Sequence, residues 1–370
     1  MLITLIAGAR PNFMKIAPLI KAIQKANSEG KDIHYRLVHT GQHYDRNMSD
    51  TFFSELGIPM PDVNLGCGGG TQAEQTAAIM VAFEKELQQH PSDLVLVVGD
   101  VTSTMACSIV AKKLNTKVTH VEAGIRSWDL TMPEEINRMV TDCLADFYFT
   151  TSEVANQNLR QMGVSESRIH FVGNVMIDTL LANKNRFKRP KIYDELQLKE
   201  KEYIVLTMHR PANVDEEQHL KALMEQIIIN VHNLPIIFPI HPRTAKIFYH
   251  LWGNEEQLKT IFPNLHIVEP MGYLEFNYLV EHSKAVITDS GGITEETTVM
   301  GIPCITLRDN TERPETCTIG TNELIGTNPK NIKPALDKLF AGEWKKGAIP
   351  PLWDGNAAKR IIEVLVSQNC

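Results

Sequence analysis

Short apolar runs recur along this chain, separated by longer stretches whose apolar residues fall at helical spacing. In the first half the runs are Leu2–Ala7, His34–His39, Asp93–Val98, Lys117–Val121, Phe147–Thr151 and Ile169–Val172. Between them Thr76–Leu87, Met105–Lys113 and Glu135–Leu144 carry the period of an amphipathic helix. The alternation restarts later, with strands predicted at Tyr203–Met208, Pro235–Ile240, His266–Glu269, Ala285–Thr288 and Pro303–Leu307. Helices are predicted there at Glu216–Val231, Thr244–Trp252, Leu274–Glu281 and Thr294–Met300, and a last one at about Asn356–Ser367. Strands rich in Val, Ile and Leu that alternate with helices predict parallel sheets covered on both faces, hence a doubly wound α/β fold.

Asn183–Lys201 interrupts the alternation, with five Lys and two Arg between Lys184 and Lys201, and reads as a solvated linker or surface helix. The expected division is therefore 1–172 as a first Rossmann-like domain, 173–355 as a second, and 356–370 as a C-terminal helix placed to pack back on the first. A length of 370 residues suits two domains. Ligands of such domains are expected at the C-terminal ends of the strands, in a cleft between the two halves.

Composition narrows the function. The net charge of −7 argues against a general nucleic-acid binder, which needs clustered cations, but leaves room for a local basic pocket. No apolar run approaches the roughly 20 residues that span a bilayer, so no membrane partner is expected. Met1–Gly8 lacks a basic lead and reads as a strand, not a signal peptide. The six cysteines are scattered without a CxxC or a Cys/His cluster, which implies reduced thiols, a cytoplasmic location and no metal site.

The chemistry-bearing residues gather at strand ends. Gly8-Ala9-Arg10-Pro11-Asn12-Phe13-Met14-Lys15 follows the first strand, where a turn into a helix holds anions and where Arg10 and Lys15 add charge. It is neither GxGxxG nor a Walker A, so nicotinamide and ATP lose their main support. Pro18 predicts a kink or a late helix start. Asp100, after Gly99, either caps the next helix or presents a carboxylate. Glu122, in His120-Val121-Glu122-Ala123-Gly124-Ile125-Arg126, ends an apolar strand, a costly place for a charge unless it is paired or used. Glu134 and Glu135 open a helix after Pro133, where acidic side chains complement the dipole, and Glu135 reads as doing only that. Asp100, Glu122 and a folded-back Glu134 would crowd three carboxylates together, raising one pKa and pairing a proton donor with an acceptor.

In the second half, His209-Arg210 and His241-Pro242-Arg243 follow successive strands. Thr288-Asp289-Ser290-Gly291-Gly292 then turns into a helix whose N-terminus suits a diphosphate. One of Glu295 and Glu296 is placed to accept from ribose hydroxyls, and Arg313, in Thr311-Glu312-Arg313-Pro314-Glu315, to reach the same diphosphate.

Together these segments resemble the non-hydrolysing UDP-N-acetylglucosamine 2-epimerases, from Gly8 to about Gly320. The motifs are GxRPxxxKxxPL, HVEAGxR, PEExNR, the His-Arg pair, DSGGxxEE and TERPE. The resemblance implies a GT-B fold with the nucleotide sugar in the interdomain cleft. It implies a cytoplasmic homodimer that uses neither NAD nor an obligatory metal. Carried over from the first domain are Arg10, Lys15, Asp100, Glu122, Glu134 and Arg138. From the second come His209, Ser290, Gly291, Gly292, Glu296 and Arg313, with His241 as a further substrate contact and uracil near Gly272–Phe276, including Phe276. The implied reaction interconverts UDP-GlcNAc and UDP-ManNAc. UDP is eliminated across C1–C2 to leave 2-acetamidoglucal, then added back with protonation on the other face. The catalytic set is Asp100, Glu122, Glu134 and His209, and domain closure retains the intermediate.

Many bacterial relatives add an allosteric UDP-GlcNAc site. Here Gln42-His43 match it, but Gly66–Gln72 contains no Arg and Ala212 stands where Glu is usual. Four other readings share some of these features: a GT-B glycosyltransferase, a hydrolysing epimerase, an epimerase of a UDP-2,3-diacetamido uronic acid, and a non-catalytic nucleotide-sugar sensor.

Overall fold

The computed structural model describes residues 1–41 and 55–368. Contacts divide the chain into two compact units, Met1–Asn183 with Pro351–Cys370, and Lys184–Pro350.

In the first unit, seven parallel strands lie in the order β3-β2-β1-β4-β5-β6-β7 among the described residues. They are β1 Leu2–Ala7, β2 His34–His39, β3 Val63–Asn64, β4 Leu94–Val98, β5 Lys117–Val121, β6 Phe147–Thr150 and β7 Ile169–Phe171. The β4 strand, Leu-Val-Leu-Val-Val, is buried throughout, as a central strand covered on both faces must be. The strand order reverses between β1 and β4, the position at which open α/β sheets generally bind ligands.

The first helix starts at Arg10 and runs through Pro18 to Ser28, so of the two outcomes expected at Pro18 the late start does not occur. Pro18 has no N–H for the Met14 carbonyl. The Thr179 hydroxyl, on helix Val175–Asn183, donates to that carbonyl instead at 2.5 Å.

That helix is one reason why residues 173–183 group with the first unit. The other is the returning C-terminus. Trp353 is buried and its Nε1 donates to the Thr151 carbonyl at 2.9 Å. Helix Ala357–Ser367 packs on helices Arg10–Ser28 and Val175–Asn183. Asp178 caps its start, accepting from the Ala357 and Ala358 N–H groups at 3.1 and 2.7 Å.

The second unit repeats the plan. Its strands are β8 Ile204–Thr207, β9 Ile236–Pro239, β10 Leu265–Val268, β11 Ala285–Thr288, β12 Cys304–Thr306 and β13 Asn322–Leu324. They are parallel, in the order β10-β9-β8-β11-β12-β13, with the reversal between β8 and β11. Alternate residues enter opposite cores. Ile204, Leu206, Phe238 and Ile287 face one, whereas Val205, Ile237, Val286 and Cys304 face the other. The charged stretch after Asn183 is more than a solvated linker, because Tyr193 and Leu198 are buried in that second core. No helix among the described residues is long and apolar enough to cross a membrane.

Candidate active site

Most of the predicted residues follow strand ends, those of β1, β4 and β5 in the first unit and of β8, β9 and β11 in the second. After β1, Asn12 organises the turn: its Oδ1 accepts from the Gly8 and Ala9 N–H groups, and its Nδ2 donates to the Val98 carbonyl at 2.9 Å. The turn is thereby tied to the end of β4. Arg10 stands at the first position of the helix that follows. Lys15, one turn further on, is buried, and its ammonium meets Glu122 Oε2 at 2.6 Å.

Glu122 follows β5, and its backbone lies in the left-handed region at φ +71°. A non-glycine residue there is strained, and such strain persists where the surroundings hold it. The Glu122 N–H donates to the Phe149 carbonyl, and its carboxylate is gripped by Lys15. Gly99, at φ +70°, leaves the space for this pair, since a β-carbon there would lie 3.1 Å from Lys15 Nζ. The flanking His120-to-Arg126 segment is structural. His120 Nδ1 and Arg126 Nη2 converge on the buried Asp142 carboxylate at 2.6 and 2.7 Å. Burial pushes the Asp142 carboxyl up, but His120 and Arg126 outweigh that and hold it below its ordinary value.

Asp100 does not cap the next helix. That helix, Thr102–Lys113, has Val101 at its N-cap, without a side-chain bond. The Asp100 carboxylate goes to Arg138 instead, whose Nε and Nη2 donate to Oδ2 at 3.0 and 2.5 Å. Glu134 is exposed on the first turn of helix Pro133–Leu144, whereas its neighbour Glu135 is fully buried and bonded to Arg138 Nη1 at 2.7 Å. The carboxylate joined to the Asp100–Arg138 pair is thus Glu135, which the sequence reading set aside as a dipole partner.

In the second unit, the residue after β11 organises the ends of β8 and β11. Asp289 is fully buried and accepts from the His209 and Arg210 N–H groups and from Asn213 Nδ2. His209 Nδ1 lies 3.0 Å from Asp289 Oδ1, while half of the His209 side chain stays exposed. The carboxylate orients the imidazole through Nδ1. Burial pushes the Asp289 carboxyl up, but its bonds with His209, the Arg210 N–H and Asn213 outweigh that, and its pKa is lowered. Asp289 stands inside the Thr288–Gly292 motif and Asn213 three residues beyond the His-Arg pair, and neither is a candidate from sequence, because their neighbours carry the more obvious chemistry.

Ser290, Gly291 and Gly292 start helix Gly291–Met300, whose first N–H groups have no partner within the helix. A β-carbon on Gly291 would lie 2.7 Å from Glu312 Oε1, so the Glu312 side chain packs closely over this helix start. Glu295 is buried and accepts from Arg313 Nε at 2.7 Å, so Arg313, itself buried, is held by an ion pair. Glu296 turns inward and accepts from the Tyr273 hydroxyl at 2.8 Å. Its burial raises its pKa to about 7, with Glu295 pushing the same way and Tyr273 and Asn277 opposing. Phe276 is half-buried against the core of helix Tyr273–His282, and His241 is exposed where helix Pro242–Trp252 begins. Gln42 and His43 lie outside the described residues. Among the described residues, no group of three or more His, Cys, Asp or Glu side chains is placed to hold a metal ion.

Two doubly wound parallel units, each with charged side chains at the reversal of its strand order, make this a GT-B-like α/β protein. The family described as UDP-N-acetylglucosamine 2-epimerase matches residues 25–366, and the chain belongs to that family. It is 39% identical to the UDP-N-acetylglucosamine 2-epimerase of Methanocaldococcus jannaschii, over 99% of both chains. It is 38% identical to the UDP-2,3-diacetamido-2,3-dideoxy-D-glucuronate 2-epimerase of Pseudomonas aeruginosa, over 88% of both. A crystal structure of the M. jannaschii UDP-GlcNAc 2-epimerase with UDP-GlcNAc and UDP matches with a TM-score of 0.87 at 39% identity, covering 99% of this chain and 100% of that one.

Proposed function

We propose that this epimerase interconverts UDP-GlcNAc and UDP-ManNAc at C2. The C2 proton is not beside a carbonyl, so its direct removal would leave an unstabilised carbanion. Elimination of UDP across C1–C2 avoids that. The C2–H and C1–O bonds break, the C1–C2 double bond of 2-acetamidoglucal forms, and UDP carries away the electron pair. Re-addition of UDP at C1, with a proton delivered to the other face of C2, completes the inversion. Asp100 and Glu122, with Glu134 as the third carboxylate, remove and return the proton. Arg10, His209, Arg313 and the helix start at Ser290-Gly291-Gly292 stabilise the departing diphosphate. Lys15 and Arg138 hold the carboxylates, Glu296 serves the ribose, and His241 and Phe276 complete the nucleotide contacts.

The observation that carries this reading is the pairing of each of two carboxylates with a buried cation at neighbouring strand ends, Glu122 with Lys15 and Asp100 with Arg138. We infer also that the enzyme is a cytoplasmic homodimer, a reading supported by the family resemblance. The test is proton NMR with UDP-GlcNAc in D2O. UDP-ManNAc with deuterium entering C2 is the expected result. Free ManNAc and UDP would mark a hydrolysing enzyme. An inert sample would favour the 2,3-diacetamido uronic acid sugar, the compound class named for the P. aeruginosa relative.

A further inference from the structure

Glu135 stands beside the proposed catalytic residues yet faces the interior. Its side chain is wholly buried, an expensive position for a carboxylate unless it is paired and hydrogen-bonded. It is bonded in two directions. Oε2 accepts from the Ser127 N–H at 2.9 Å and the Ser127 hydroxyl at 3.0 Å, and Oε1 from the Trp128 N–H at 3.1 Å. On the other side Oε2 accepts from Arg138 Nη1 at 2.7 Å.

The Ser127–Trp128 turn is itself strained. Trp128 has φ +62°, a real outlier for a bulky residue, and its side chain is 65% exposed. The N-cap of helix Pro133–Leu144, Met132, makes no side-chain cap bond, so Glu135 spends its carboxylate on the turn before the helix. Arg138 is shared. Its Nη1 goes to Glu135, while Nε and Nη2 go to Asp100 Oδ2. The guanidinium is planar and rigid, so the carboxylate that fixes one edge sets the direction of the other. Asn137 Nδ2, from the same helix, donates to the Asp100 carbonyl and holds the backbone of the same residue.

We propose that Glu135 is a positioning residue. It locks the plane of Arg138 against the Ser127–Trp128 turn, and so fixes where the Asp100 carboxylate lies for proton transfer at C2. This rests on the epimerase reading above. Glu135 touches no reacting atom, so its effect belongs to the chemical step and not to UDP binding.

The test compares wild type, Glu135→Gln and Glu135→Asp. Gln keeps the shape, but it turns one acceptor into a donor facing Arg138 and the Ser127 N–H. The expected result for Glu135→Gln is a kcat lower by about ten- to a hundredfold, the range that follows a misplacement of about 1 Å. KM and UDP affinity stay within about twofold, and the isotope effect with C2-deuterated substrate rises, because proton transfer becomes slower. Glu135→Asp, which keeps the buried charge, falls between the two. Should the Gln variant not fold, the Asp variant carries the test alone. A wild-type kcat and isotope effect, with only a lowered melting temperature, would reduce Glu135 to a structural role and overturn the proposal. A crystal structure of either variant with Arg138 and Asp100 unmoved would overturn it whatever the sugar. A wild-type enzyme inert on UDP-GlcNAc would instead overturn the substrate reading, which separates the two failures.

Discussion

At the scale of single residues, burial and pairing separate the carboxylates that the motifs put side by side. Asp100 and Glu122 are each held by a buried cation. Asp100→Asn and Glu122→Gln should each slow C2 proton exchange by at least about a hundredfold, the usual contribution of a positioned acid or base. UDP affinity, measured by calorimetry, should stay within about threefold, because the diphosphate contacts are untouched. Near-normal exchange in both variants would remove these residues from the mechanism. Glu296 gives a second expectation. Its folded pKa of about 7 lies above the ordinary 4.5, so its protonated form favours the fold. That contribution is complete below about pH 4.5 and is lost as pH rises through about 7. Glu296→Gln should therefore gain melting temperature relative to wild type as pH rises from about 5 to about 8. A difference independent of pH would mean that Glu296 does not titrate in this range.

At the scale of elements, the strands were largely legible. Ala285–Thr288, Lys117–Val121, His34–His39 and Leu2–Ala7 fold as their apolar runs predict. A central parallel strand such as Ala285–Thr288 is covered on both faces and so is rich in apolar residues, which is visible in one dimension. The first helix was less legible, because Pro18 breaks a helix unless something else takes the freed Met14 carbonyl, and the Thr179 hydroxyl that does so lies far away in sequence. Helix Val175–Asn183 also carries Asp178, the carboxylate that caps helix Ala357–Ser367. Asp178→Ala should cost about 1 kcal/mol, the size of a lost helix cap, seen as a lower urea midpoint. Faster amide exchange at Ala357 and Ala358 should accompany it. Unchanged exchange at those two residues would show that the cap bonds are not what holds the helix start.

At the scale of the whole molecule, the homodimer is open to direct measurement. Light scattering after size exclusion should give twice 41.6 kDa, and a mass of 41.6 kDa would remove the dimer from the proposal. The sequence by itself determined the class of fold and the family. Apolar runs, turn glycines and short motifs at strand ends are local patterns, and local patterns survive in a linear string. Only the tertiary structure decided which of two adjacent glutamates is used. Glu134 and Glu135 sit on the same helical turn, yet one meets solvent and the other meets Arg138 and the Ser127–Trp128 turn. The same holds for Asp289, whose role as the anchor of His209 depends on β8 and β11 lying side by side. Burial and pairing arise from segments distant in the chain, and the cost of leaving a buried charge unpaired selects among residues that the sequence presents as equivalent.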